Sequence, residues 1–345
     1  ASGREVEIID PYTNTPRKML MFASNNYLGF ANHPYVKQKV KFAINKYGVG
    51  VGGPPLLNGY TQLMQELEER LADLKQQESA MIFSSGFATN LGLITALTKN
   101  DDIVIYDELS HASFYDGLRL ANVRSVSFKH NDMEDLETKL KHYSKRNKGE
   151  MFVGFEGVYS MDGNLGPLDI MVPLIKKYKG ISLLDDAHGT GVLGQNGSGT
   201  SEHFGVCKDV DIAMGTFSKA FSVTGGFLGS SREMIQYIRY YARPYVFSAS
   251  LTAPTLAAVL AGIDLIQEEP WRRKVLLENT KYATDKLRKF GLTIEPEAAI
   301  IALLVPEWMD MRKVNYEIHK RDIFINAIEY PAVPQDQQRF RISIM

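Results

Sequence analysis

The sequence predicts an α/β protein: a mostly parallel seven-stranded sheet sandwiched by helices, with a smaller C-terminal α+β domain. Three observations carry this. Short apolar runs recur between helical stretches at 81–83, 103–105, 123–128, 151–155, 181–184 and 212–214, and a seventh, 226–229, follows through a tight connection. The runs show little alternation, as strands covered on both faces should. Polar residues gather just past their ends, where ligands sit in sheets of this kind.

Taken in order, residues 1–24 read as a hairpin-like start, with Asp10-Pro11 and Thr13-Asn14-Thr15-Pro16 as turn signals. A helix is expected over 34–47, opened by Pro34. The loop 48–59 holds four glycines by residue 53 and a fifth at Gly59, with Pro54 and Pro55. Such a backbone turns sharply or approaches something closely. It is no Walker loop, because no Gly-Lys-Ser/Thr follows, and no strand precedes it as a dinucleotide fingerprint needs. Leu63, Leu67, Leu71 and Leu74 then mark one face of a helix. After the strand region come helices at 234–241, 254–267 and 271–290, then strands at 300–305 and 323–327. A domain boundary falls near 265–275. The expected division is an N-terminal segment (1–33), a large domain (34–268) and a small one (269–345).

The 345 residues are 44% hydrophobic and 23% charged, with a net charge of −1. That balance offers no field for nucleic acid or an anionic membrane, so neither is expected as a partner. The one cysteine, Cys207, excludes an internal disulfide, fits a reducing compartment and reads as a packing residue. No apolar run approaches about 18 residues, so no membrane-spanning segment is expected. The chain reads as soluble and cytoplasmic. It starts at Ala1 without Met and stops inside the strand-like run 339–345, so further segments are expected at both ends.

The strand ends, taken together, set a chemical demand. Ser85-Gly86-Phe87 opens a helix whose free N–H groups suit a phosphate. By itself it is also an ordinary strand-to-helix turn. His111 offers a flat ring for stacking or, alone, a hydrogen-bonded loop histidine. Asp185 ends a buried run, which is costly unless it meets a cation such as a protonated pyridine nitrogen. His188 lies three residues on. Asp and His at that spacing also suit a metal, but no cysteine pair or dense His/Asp cluster supports one. Lys219 follows a buried strand, beside the hydroxyls of Thr216 and Ser218, which could hold a phosphate. Desolvation there favours the neutral amine that forms Schiff bases. The competing reading is a surface lysine in a loop. A phosphate cup, a stacking ring, an acid and an amine together describe pyridoxal 5′-phosphate (PLP).

The motifs Asn25-Asn-Tyr-Leu-Gly29, Leu57-Asn-Gly59, Ser85-Gly-Phe87, Ser110-His-Ala-Ser113, Glu156-Gly-Val-Tyr-Ser-Met-Asp-Gly163, Asp185-Asp-Ala-His-Gly-Thr-Gly191, Gly215-Thr-Phe-Ser-Lys219, Phe247-Ser248 and Arg339-Phe-Arg341 occur in this order. Through them the chain resembles the α-oxoamine synthases, PLP enzymes of the type I (aspartate aminotransferase-like) fold. The resemblance implies that Lys219 carries the cofactor and moves the Cα proton, that Asp185 pairs with the ring nitrogen and that His111 stacks on the ring. It also implies that His188 and Ser160 lie near the phenolic oxygen. Gly86, Phe87 and Thr216 would bind the phosphate, Ser248 would reach the phosphate of a neighbouring subunit, and Asn25, His111 and Arg341 would hold the amino acid. An exposed edge-strand charge is the other reading of Arg341. The implied enzyme is a homodimer with its active site at the subunit interface. It joins an amino acid to an acyl-CoA, losing CoA and CO2. Pro54-Pro55 and Ala332 depart from relatives. The lysine motif looks closer to members that use serine and a long-chain acyl-CoA, and the Asp186-Ala-His-Gly-Thr-Gly191 stretch closer to the oxononanoate-forming members; the reading leans toward a long-chain acyl-CoA with serine or a similar amino acid.

Overall fold

A computed structural model describes residues 3–345. The chain forms two compact units, Ala1–Pro34 with Ser160–Asn164 and Trp271–Met345, and Tyr35–Tyr159 with Leu165–Pro270.

Two strands, β1 (Glu5–Ile9) and β2 (Pro16–Met21), form the antiparallel hairpin that opens the chain. Asp10 fastens its turn. The carboxylate accepts the Tyr12 N–H at 2.8 Å and Arg17 Nη1 at 3.0 Å, and these bonds hold its pKa down to about 2.

The second unit begins with the helix Pro34–Tyr47, whose leading proline has the φ a first helical turn requires. In the glycine-rich loop that follows, a short π-helical turn spans Pro55–Gly59. Gly59 has no alternative there: a Cβ would lie 2.1 Å from Ser250 Oγ and 2.5 Å from the Gly53 carbonyl. The expected close approach is therefore to the chain's own segment around Ser250, whose N–H donates to Gly53 O. The helix Gln62–Lys75 is capped by Thr61 and buries Leu67 and Leu71 completely.

All seven expected runs are strands: β3 (Ser79–Phe83), β4 (Ile103–Asp107), β5 (Arg124–Phe128), β6 (Met151–Glu156), β7 (Ile181–Asp185), β8 (Ile212–Thr216) and β9 (Gly226–Ser230). Their order is β3-β9-β8-β7-β6-β4-β5. From β8 to β5 every pairing is parallel, while β9 runs antiparallel to both β8 and β3. β6, β8 and β9 are buried at every position. β5 is an exception to two-sided cover. It starts at Arg124 rather than at residue 123, lies at the sheet edge and exposes Arg124 and Ser125. One face of the sheet packs on a core built around Ile105, Val153, Leu168, Val172, Ile175 and Leu184. The helices Arg232–Tyr241, Ala253–Glu268 and Trp271–Arg288 follow, close to the expected bounds.

The first unit is completed by β10 (Ile300–Leu304), β11 (Ile323–Phe324), β12 (Asn326–Ile328) and β13 (Arg339–Ser343). The single strand expected over 323–327 is in fact two. β11 pairs in parallel with β2, whereas β12 pairs antiparallel with β13 in the sheet β10-β13-β12. Between them Ile325 turns onto the small core of Val305, Met311 and Phe340. Among the described residues no helix is long and apolar enough to cross a membrane.

Candidate active site

The carboxyl ends of the parallel strands hold most of the expected residues. Ser85 is an N-cap: its extended backbone lets the hydroxyl accept the Ala88 N–H at 3.0 Å, opening the helix Gly86–Leu97. The first N–H groups of that helix, those of Gly86 and Phe87, have no intrahelical acceptor. Gly86 must be glycine, because a Cβ would stand 2.9 Å from Thr216 Oγ1 at the end of β8. The helix terminus and the Thr216 hydroxyl thus share one spot. Thr216 Oγ1 is set by Gly225 O and Ser218 Oγ, both at 3.0 Å. Ser248 lines a small cavity with Phe83 and Ser84, beside the same turn.

Asp185 ends β7, opposite Glu156 on β6. It accepts Asn90 Nδ2 at 2.8 Å and the Ala187 N–H at 3.1 Å. Burial is the main influence on it and pushes its pKa up; the Asn90 bond and the nearby His111 work the other way. No cation makes an ion pair with Asp185 among the described residues. A half-buried carboxylate served only by neutral donors leaves room for a positive partner, which is what a pyridinium nitrogen supplies.

His111 is the N-cap of the helix Ala112–Ala121. Its Nδ1 lies 3.2 Å from the Ser113 N–H and 2.8 Å from Ser113 Oγ, and the Phe87 ring stands edge-on to it at 6.5 Å. The ring is therefore held, as a stacking partner must be. His188 is buried in the turn after β7. Lys219 is half-buried past β8, and its charge reaches Glu156. Glu156 is buried and its pKa stands well above 4.5, first through burial and then through the Asp185 charge.

Asp107, the last residue of β4, has a structural task. Fully buried, it accepts the N–H groups of Leu109 and Asn131 and faces His130 Nδ1 at 3.0 Å, so it ties two loops together.

In the other unit, Arg341 sits in the central strand β13 and is only 5% exposed, which excludes the edge-strand reading. Its Nε–H donates to the Ser160 carbonyl, its Nη1 reaches Ser343 Oγ at 2.9 Å, and both terminal nitrogens lie 3.1 Å from Asn25 Oδ1. The structure thus engages Ser160 through its backbone. Asn25 and Arg341, expected to work together, are directly bonded.

Three residues were missed. Asn90 and Ser113 link Asp185 to His111, and the only sequence signal for Asn90 was an amide in an otherwise apolar helix. Lys75 makes a fully buried ion pair with Asp186 at 2.6 Å, one residue from Asp185.

These features have known counterparts. The model of the family "aminotransferase class I and II" matches residues 17–345. An 8-amino-7-oxononanoate synthase from Lysinibacillus sphaericus is 38% identical over 346 residues, spanning 100% of this chain and 87% of that one. The solved serine palmitoyltransferase of Sphingomonas wittichii superposes with a TM-score of 0.91 at 33% identity, covering 98% of this chain and 86% of that one. A serine palmitoyltransferase from S. paucimobilis, solved with a PLP–myriocin adduct bound, gives 0.92 at 31% identity, covering 98% and 87%. The chain belongs to the α-oxoamine synthases, PLP-dependent acyltransferases of the type I fold that condense an amino acid with an acyl-CoA thioester and release CoA and CO2.

Proposed function

We propose that Lys219 bonds the PLP aldehyde, with Asp185 on the ring nitrogen, His111 against the ring face and His188 and Ser160 near its phenolic oxygen. Gly86, Phe87 and Thr216 hold the phosphate. The observation that carries this is Asp185: a desolvated acid with only neutral donors, at the strand ends that also bring Gly86, Thr216 and Lys219. Bound there, PLP supplies the electron sink that stabilises a carbanion at the amino acid's Cα.

Asn25 and Arg341 take the amino acid's carboxylate. A guanidinium fork orients it as well as neutralising it. With PLP in place, the Lys219 amine would remove the Cα proton. The carbanion attacks the thioester carbonyl, the Cα–carbonyl bond forms and the thiolate of CoA leaves. The resulting β-keto acid loses CO2, and Lys219 returns a proton to Cα. The working enzyme is a cytoplasmic homodimer, with Ser248 reaching the partner's phosphate site. The lone buried Cys207 agrees with a reducing compartment.

The relatives' names give two substrate pairs. Serine and a palmitoyl thioester make one. The other follows from the product name: in 8-amino-7-oxononanoate, C8 and C9 are an alanine remnant and the other seven carbons a dicarboxylic acyl unit. The second acyl unit ends in a carboxylate, whereas the Gly215-Thr-Phe-Ser-Lys219 motif leans toward the relatives that use a long hydrocarbon acyl unit. We therefore favour an unbranched hydrocarbon acyl-CoA. Borohydride reduction of the holoprotein tests the site. The phosphopyridoxyl group should be found on the Lys219 peptide and should vanish in Lys219→Ala; recovery on another lysine would overturn the assignment.

A further inference from the structure

Asn90 and Ser113 sit on the adjoining helices Gly86–Leu97 and Ala112–Ala121, 1% and 0% exposed. Gly117 lets these helices close: a Cβ there would lie 2.8 Å from Ile94 Cδ1. The hydrogen atoms between the two residues can be counted. A backbone amide only donates, so the Ser113 N–H at 3.2 Å requires a lone pair on His111 Nδ1. Asn90 Nδ2 has two hydrogens and spends them on Asp185 Oδ2 at 2.8 Å and Ser113 Oγ at 2.9 Å. Turning the amide would set its oxygen against the Asp185 carboxylate, so the orientation follows from the network. Ser113 Oγ, accepting from Asn90, directs its own hydrogen to His111 Nδ1 at 2.8 Å.

We propose that Asn90 and Ser113 are positioning residues that lock His111 as its Nε2–H tautomer and tie it to the Asp185 carboxylate. Two donors converge on Nδ1, so the ring proton is held on Nε2, which makes no bond among the described residues. His111 then presents a neutral N–H donor in a fixed plane, and any turn of the imidazole is felt at Asp185 through three hydrogen bonds. The role in the reaction rests on the assignment of His111 and Asp185 to the cofactor site. The tautomer itself does not.

The test is nitrogen-15 NMR of the histidines in the apoprotein, with His111 assigned by comparison with His111→Gln, followed by kinetics on the holoenzyme. The expected wild-type signature is a pyridine-like Nδ1 and a protonated Nε2. Ser113→Ala should move both signals toward the averaged values of mixed tautomers and lower kcat about tenfold, with the amino-acid KM changed far less. Ser113→Thr, which keeps the hydroxyl, should restore the wild-type pattern, and Asn90→Ala should weaken the lock in the same direction. A protonated Nδ1 in the wild type, or a Ser113→Ala spectrum and kcat like the wild type, would overturn the proposal. If the tautomer is as expected but borohydride labels a lysine other than Lys219, the lock stands and the site assignment fails.

Discussion

Asn25 Oδ1 lies 3.1 Å from both Nη1 and Nη2 of Arg341, so an amide oxygen fills the position a substrate carboxylate oxygen would take in the guanidinium fork. Around it, Ser343 Oγ and the Tyr27 hydroxyl each lie 3.3 Å from the same oxygen. The arginine is pre-aligned by a neutral group that an anion can displace.

Asn25→Asp would put a permanent carboxylate in that fork without changing the side chain's size. The amino acid would then have to displace a charged group rather than a neutral one. We expect its KM to rise at least about tenfold, since hydrogen bonds to charged groups contribute more than neutral ones. The KM for acyl-CoA should be unchanged. Initial rates with each substrate varied in turn check this, and equal KM values in variant and wild type would remove Arg341 from carboxylate binding.

Lys75 and Asp186 are both fully buried and 2.6 Å apart. Lys75 also donates to the Ser198 carbonyl, and Asp186 accepts the Thr200 N–H and hydroxyl. Lys75→Met leaves Asp186 charged and unpaired, at an expected cost of about 3–5 kcal/mol in stability. Because Asp186 adjoins Asp185, cofactor affinity should fall with it. Denaturant unfolding and PLP titration of the variant measure both.

Glu156 gives a pH signature. Its folded-state pKa is raised above 4.5, first by burial and next by Asp185. The native chain therefore keeps a proton that the unfolded chain has lost. Stability must fall as pH rises from 4.5 toward the folded value. Glu156→Gln removes this slope. Its Tm should decline less than that of the wild type as pH rises above 4.5. Parallel Tm profiles would show that Glu156 titrates as an ordinary exposed carboxyl.

Much of this architecture was legible in the sequence, for physical reasons. Parallel strands buried on both faces are written as continuous apolar runs, so β3, β4 and β6 to β9 stood out, and their ends located Asp185, Thr216 and Lys219. β5 was found, but not its exposed edge, because Val126 and Phe128 carry the same apolar signal an interior strand would. The split of 323–327 could not be read. Whether Ile323 pairs with β2 and Asn326 with β13 depends on partners about 300 and 15 residues away, and local pattern is blind to both. Lys75 looked like a routine cation in a last helical turn, where the helix dipole favours one. Its burial depends on Asp186, which lies 111 residues later. The Asn90–Ser113 bond joins two helices and leaves no periodic trace.

The most direct measurement of the central claim is a single assay on the PLP-loaded protein. Free CoA thiol and released CO2 are followed together, with serine, alanine or glycine and with acyl-CoA donors of graded chain length. The expected result is equal release of thiol and CO2, only when both substrates are present, with one amino acid strongly preferred and a long hydrocarbon donor best. Lys219→Ala should abolish both signals, lowering the rate by at least about a hundredfold. Thiol release without an amino acid, or conversion of the amino acid to a keto acid without thiol release, would contradict the account.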